Sequence, residues 1–203
     1  MAKRTLLSRL NPRLKWRGMR GLRYNDQGIS AVEFALIAPL LIILYLGAVE
    51  LSFLMEVNRR VTQTSASLGD LTARLSTVTD ADMAEMFAAA KVLMEPYEAD
   101  VAEMRISSIV DNGDGNPKVA WSDAHNISPY NKGQTVTIPA GIMPSPGSII
   151  MAEVSYEYES EFGYLITTSK TLGDKFYLRP RRVSEIARVK SSSSGTNPFG
   201  PTS

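Results

Sequence analysis

The chain has 203 residues, 44% of them hydrophobic, 22 Lys and Arg against 21 Asp and Glu, and no cysteine. That length leaves room for one modest folded domain besides a long helix, and the lack of cysteine excludes disulfides and thiol chemistry. The near-zero net charge hides an asymmetry: the first 28 residues are strongly basic and the rest is acidic, which speaks for membrane topology and against nucleic-acid binding.

Residues 1–27 have no apolar run and carry Lys3, Arg4, Arg9, Arg13, Lys15, Arg17, Arg20 and Arg23, opposed only by Asp26. From Gly28 the sequence turns apolar, and between Glu33 and Glu50 there is no charge. As a helix rising 1.5 Å per residue, that interval covers about 24 Å, and Ile29 to Met55 about 40 Å, bracketing a hydrocarbon core of about 30 Å. One membrane-spanning helix is therefore predicted, its basic flank in the cytoplasm and the rest of the chain beyond the inner face. A secretory signal would have a shorter apolar core and a small-residue exit, whereas this run leads into Glu50 and Glu56. Within it, Pro39 predicts a kink and Gly47 a close approach by another helix. Glu33 is the anomaly, because a carboxylate inside an apolar span is costly unless paired or near the interface.

A polar basic leader ending at Gly28, then an apolar helix with Glu33 and Phe34 five and six residues on, resembles a type IV prepilin processing site. The likeness is to the TadE/TadF/TadG-like proteins of tight-adherence (Tad) pilus systems, whose spans commonly hold an Ala-Pro step like Ala38-Pro39. The resemblance implies that a membrane-embedded aspartyl prepilin peptidase cuts between Gly28 and Ile29. Cleavage would leave the Ile29 ammonium at the start of a helix in lipid. In an assembly, the Glu33 carboxylate of one subunit could meet the Ile29 amine of the next, each removing the other's desolvation cost.

Val57, Val61, Thr64, Leu68, Leu71 and Leu75 recur at steps of four and three, predicting an amphipathic extension of the helix to about Ser76. Thr79-Asp80-Ala81-Asp82 announces a second helix with Met83, Met86, Phe87, Ala90, Leu93 and Met94 on one face, ended by Pro96. From Val101 the period becomes extended, with Met104, Ile106, Ser108 and Val110 on one side. Asp111 to Pro117 forms the turn to a second arm, Lys118 to Ser122, carrying Trp121. The acidic turn departs from EF-hand spacing, with Gly113 at the second ligand position and Ser122 at the closing one, and reads as a plain turn.

Residues 123–147 are rich in Pro, Gly and Asn and read as loop, with Thr135 to Ile138 a short edge strand and His125, the single histidine, in solvent. Two strands follow. In Ser148 to Ser160, Ile150, Ala152, Val154, Tyr156 and Tyr158 share a face; the other lies around Lys175 to Leu178. Arg179-Pro180-Arg181-Arg182 reads as a solvated basic run, and this C-terminal region also resembles TadE-like proteins. Residues 191–203 form a polar tail expected to be disordered.

The expected architecture is α+β: a long N-terminal transmembrane helix extended into an amphipathic stalk, a short second helix and a small C-terminal antiparallel sheet. Its parts are a leader (1–28), the helix and its extension (29–76), the second helix (77–96), a periplasmic β domain (97–190) and the tail (191–203). No catalytic constellation, metal site or cofactor motif is present in the sequence. The reading implied by the resemblance is a minor pilin or pseudopilin used in pilus assembly and adhesion, with inner-membrane lipid, prepilin peptidase, other pilin subunits and the assembly platform as partners. An uncleaved single-pass scaffold component and, below it, a membrane-tethered periplasmic enzyme are the alternatives.

Overall fold

The computed structural model describes residues 27–160, 163 and 168–190. The leader and the polar tail therefore fall outside the described residues, apart from Gln27 and Gly28. One helix, α1 (Gln27–Ala73), runs through both of the compact units into which the chain divides, the division falling between Ala48 and Val49. In the first unit the described structure is α1 itself, apolar on all sides and exposed.

The second unit holds the remainder of α1, a short strand β1 (Thr77–Val78), helix α2 (Asp80–Met94), a single 3-10 turn at Ala99–Val101, and strands β2 (Glu103–Asp111), β3 (Lys118–His125), β4 (Gly147–Tyr158), β5 (Lys170–Leu178) and β6 (Ala187–Arg188). The four long strands make one antiparallel sheet in the order β3-β2-β4-β5. The α+β architecture is as anticipated.

Both helices pack on one face of that sheet. From α1 come Val57, Val61 and Leu68, from α2 Met83, Met86, Ala90 and Met94, and from the strands Met104, Ile106, Trp121, Ile150, Ala152, Val154, Tyr158 and Leu172. The heptad-like steps of four and three lose register along α1: Leu71 is 41% exposed, and Thr72 is buried in its place. A straight helix turns every 3.6 residues, so a 3.5-residue repeat drifts by about 20° per heptad, and the facing position moves one residue on. Gly69 sits at the closest approach, where a Cβ would come within 2.9 Å of Leu178 Cδ1 and 3.5 Å of Ala152 Cβ. The helix ends at Ala73 rather than near Ser76, its last carbonyl taken by the Arg181 N–H at 2.9 Å. Helix α2 begins with the capping box foreseen at Thr79, the Asp82 N–H donating to Thr79 Oγ1 at 3.2 Å and the Thr79 N–H to Asp82 Oδ2 at 2.8 Å.

The opposite face of the sheet is covered too. Ile109, Val119, Ile149 and Met151 lie under Tyr130, Val136, Ile138, Ile142 and Met143. The segment expected to be loop is thus a second covering layer, and Thr135 pairs with Lys118 as an isolated bridge rather than a strand. This cover also explains why β4 is buried at most positions instead of alternating. A β-bulge opposite Ser108 and Ile109 places Trp121 in one core and Val119 in the other, although two-residue spacing would put them on the same face.

Two further expectations are corrected. Strand β3 continues to His125, so the histidine is at a strand end and not in a solvated loop. Strand β5 starts at Lys170, five residues earlier than expected, because it pairs with β4 as far as Tyr158. Thr77–Val78 and Ala187–Arg188 form a parallel two-stranded ladder, a pairing of segments remote in sequence.

Candidate functional site

Gly28, Ile29, Glu33, Phe34 and Pro39 all lie on the first part of α1, and all are exposed. A spacing of four residues sets Ile29 and Glu33 on one helical face, one turn and about 6 Å apart along the axis. Among the described residues no hydrogen bond or ion pair forms at Glu33, and Phe34 is 67% exposed. Pro39 is accommodated within continuous α-helix, where its missing N–H takes one bond out of the ladder.

The surroundings are apolar side chains facing outward: Val32, Leu36, Ile37, Leu40, Leu41, Ile42, Ile43 and Leu44 are all more than half exposed. An 18-residue window of this helix has mean hydropathy 2.3 and no buried residue. Water would not leave such a surface uncovered; lipid or other apolar helices suit it. The helix is long and apolar enough to cross a membrane, and it associates with one.

The second unit contributes three polar clusters. On the outer face of the sheet, Glu153 receives Arg105 Nε at 2.7 Å and Lys175 Nζ at 2.7 Å, with the Tyr130 hydroxyl donating at 3.3 Å. Burial pushes the Glu153 carboxyl up, but the bonds from Arg105 and Lys175 outweigh it and hold the group below its ordinary range. Arg105 also stacks over the Tyr130 ring, 3.8 Å from its centroid. Two cations share the one carboxylate, and Arg105 also donates to the Ser128 carbonyl at 3.0 Å, so the cluster pins the covering segment to the sheet.

Arg188 is the most enclosed charge of the second cluster, its side chain 6% exposed. It donates to Asp123 Oδ2 at 2.7 Å and Asp80 Oδ1 at 2.6 Å, joining β6, β3 and the start of α2. Sequence reasoning looked to Arg179–Arg182 and missed it; the only signal was an arginine two residues after the apolar Ile186. Arg181 is not merely solvated either, since its backbone caps α1 and its guanidinium pairs with Asp70. Trp121 Nε1 donates to the Ile186 carbonyl at 2.7 Å and Ser148 Oγ to the Ser184 carbonyl at 2.5 Å. The C-terminal stretch is strapped across the domain.

The Asp111 turn spends its carboxylate on the chain itself, accepting from the N–H of Gly113 at 2.9 Å and of Gly115 at 3.2 Å. A hydrogen bond from Ser145 leads the causes that hold Asp111 below the usual carboxylate range. Both glycines have positive φ, as the tight turn requires. Among the described residues no group of three or more His, Asp or Glu could hold a metal. His125 packs its ring 5.9 Å from that of Phe87, and its buried Nε2 has no hydrogen-bond partner among the described residues.

The model of the TadE-like protein family matches residues 28–67, from the glycine through the apolar span into the part of α1 that packs on the sheet. No curated protein and no solved structure matches the chain.

Proposed function

On the premise that this chain is TadE-like, a Tad pilus-associated protein, we propose that it is a minor pilin or pseudopilin inserted in the inner membrane and cut between Gly28 and Ile29 by a prepilin peptidase. The observation that carries this reading is Gly28, Glu33 and Phe34 at the head of an exposed apolar helix, inside the matched segment. Cleavage creates the Ile29 ammonium. The Glu33 carboxylate of a neighbouring subunit then takes it as partner, so that two groups costly alone in lipid become a register for assembly. Basic residues 3–23 hold the N-terminus in the cytoplasm, and the β domain is periplasmic. The pilus so assembled serves adhesion. TadE-like proteins are a structural family, which agrees with a role in assembly rather than catalysis.

A second reading, an uncleaved scaffold with the same topology, is favoured by one feature: Gly28 lies within the first turn of α1, so the peptidase must unwind that turn. The penalty is small, because the first four N–H groups of a helix have no intrahelical partner. N-terminal sequencing and intact mass of the protein from cells with and without the prepilin peptidase decide between them. Cleavage predicts a chain beginning at Ile29 only when the peptidase is present. A chain still carrying residues 1–28 in both strains rules it out.

A further inference from the structure

Beside α1, at the level where its uncharged run has just ended, the second unit has an aromatic cavity of about 370 Å³. Its walls are Phe53, Tyr97, Tyr156 and Tyr158, its polar rim the exposed carboxylates of Glu98 and Glu159, with Pro96 closing one side. The Tyr97 and Tyr156 rings stand 6.3 Å apart and inclined at 57°, two faces of a cup and not a closed stack. Burial first, and the Glu98 charge after it, push the Tyr156 phenol up.

We propose that this cavity binds the ammonium headgroup of a zwitterionic phospholipid such as phosphatidylethanolamine. Aromatic faces attract a cation held within about 6 Å of their centroids, and two carboxylates at the mouth add direct charge complementarity. Location selects the lipid. Phe53 follows the last residue of the uncharged run, Val49, by four positions, about 6 Å along the helix. Leu51, Phe53 and Met55 remain exposed and apolar around it. Aromatic side chains concentrate at this depth, where the headgroups lie. An anionic headgroup would meet two like charges.

The inference rests on the membrane reading of α1 and is indifferent to cleavage after Gly28. The full-length protein, reconstituted in nanodiscs of equal phosphatidylethanolamine and phosphatidylglycerol with matched chains, is released and its retained lipids are counted by native mass spectrometry. The parent is expected to retain phosphatidylethanolamine over phosphatidylglycerol by about tenfold, and the pair Glu98→Gln with Glu159→Gln to bring that ratio near one. Those carboxylates are exposed, so folding is preserved, and an unchanged melting temperature verifies it. Tyr97→Leu with Tyr156→Leu should act in the same direction. Equal retention of both lipids by the parent, or an unaltered ratio in the Gln pair, overturns the proposal. A Gln pair that lost self-association but kept its lipids would assign the cup to a cationic side chain of another copy, and the lipid assignment would fall. Failure to enter nanodiscs at all would remove the membrane reading itself, before any lipid is counted.

Discussion

The two parts of α1 that lie in different units reverse a common expectation about burial. From Phe34 to Leu46 only Pro39 and Tyr45 depart from Phe, Ala, Leu and Ile, and most of the large side chains stand exposed. After Ala48 the helix carries Thr64, Ser65 and Thr72, and these are fully buried. Two of these hydroxyls are satisfied by the helix itself, Thr72 Oγ1 donating to the Leu68 carbonyl at 2.8 Å and Ser65 Oγ to the Thr62 carbonyl at 2.9 Å, while the Thr64 hydroxyl has no hydrogen-bond partner among the described residues. Apolarity alone therefore does not say what a residue packs on. An all-round apolar surface fits lipid or neighbouring helices, while a one-sided mixture of small and apolar residues matches the pleated face of a sheet.

The sharpest way to break this comparison is to place one charge in each part. Val61→Asp, at a fully buried position, should cost more than about 4 kcal/mol and unfold the β domain, seen as lost protection of Trp121 in detergent-solubilised protein. Ile42→Asp should leave that domain folded and instead cost about 2.5–3.5 kcal/mol of membrane insertion, read by flotation with liposomes. If both variants lost the same property, the two parts of the helix would not be doing different work.

A gentler pair compares truncations. Leu68→Ala removes a side chain at 1% exposure and should destabilise the β domain by about 2–5 kcal/mol in urea. Leu41→Ala should change the same midpoint by less than about 0.5 kcal/mol. Next in size, Thr79→Ala removes the cap of α2, whose Met83 and Met86 pack in the same core as α1, and should cost about 1 kcal/mol in the same titration.

The smallest effect separates the two faces of the sheet. Glu153 has its folded pKa depressed below the ordinary 4.5, so the folded state binds fewer protons than the unfolded state between those two values. Its stabilisation is present above about pH 4.5 and is lost as pH falls through the lower, folded value. Glu153→Gln should therefore show a shallower acid limb than the parent, and parallel limbs would mean that Arg105 and Lys175 do not govern it.

Much of the molecule could be read from residue order. The uncharged run to Val49, the odd carboxylate at Glu33, the Thr79 capping box and the shared face of Ile150, Ala152 and Val154 are local, and each carries its physical cause within a few residues. The drift from Leu71 to Thr72, the crossing of Trp121 and Val119 between cores, and the burial of Glu153 could not be read that way. They depend on a helix packed against a sheet, a bulge, and a covering segment distant in sequence.

By itself the sequence determined that one helix is fit for lipid, where it starts, and which glycine and acid stand at its head, because hydropathy and charge spacing act along the chain. Only the tertiary structure decided that Arg188 joins β6 to Asp80 and Asp123, and that Phe53 shares a cavity with Tyr97 and Tyr156. Those groups are brought together by pairing and packing of remote segments. Their energies depend on neighbours that no local pattern names.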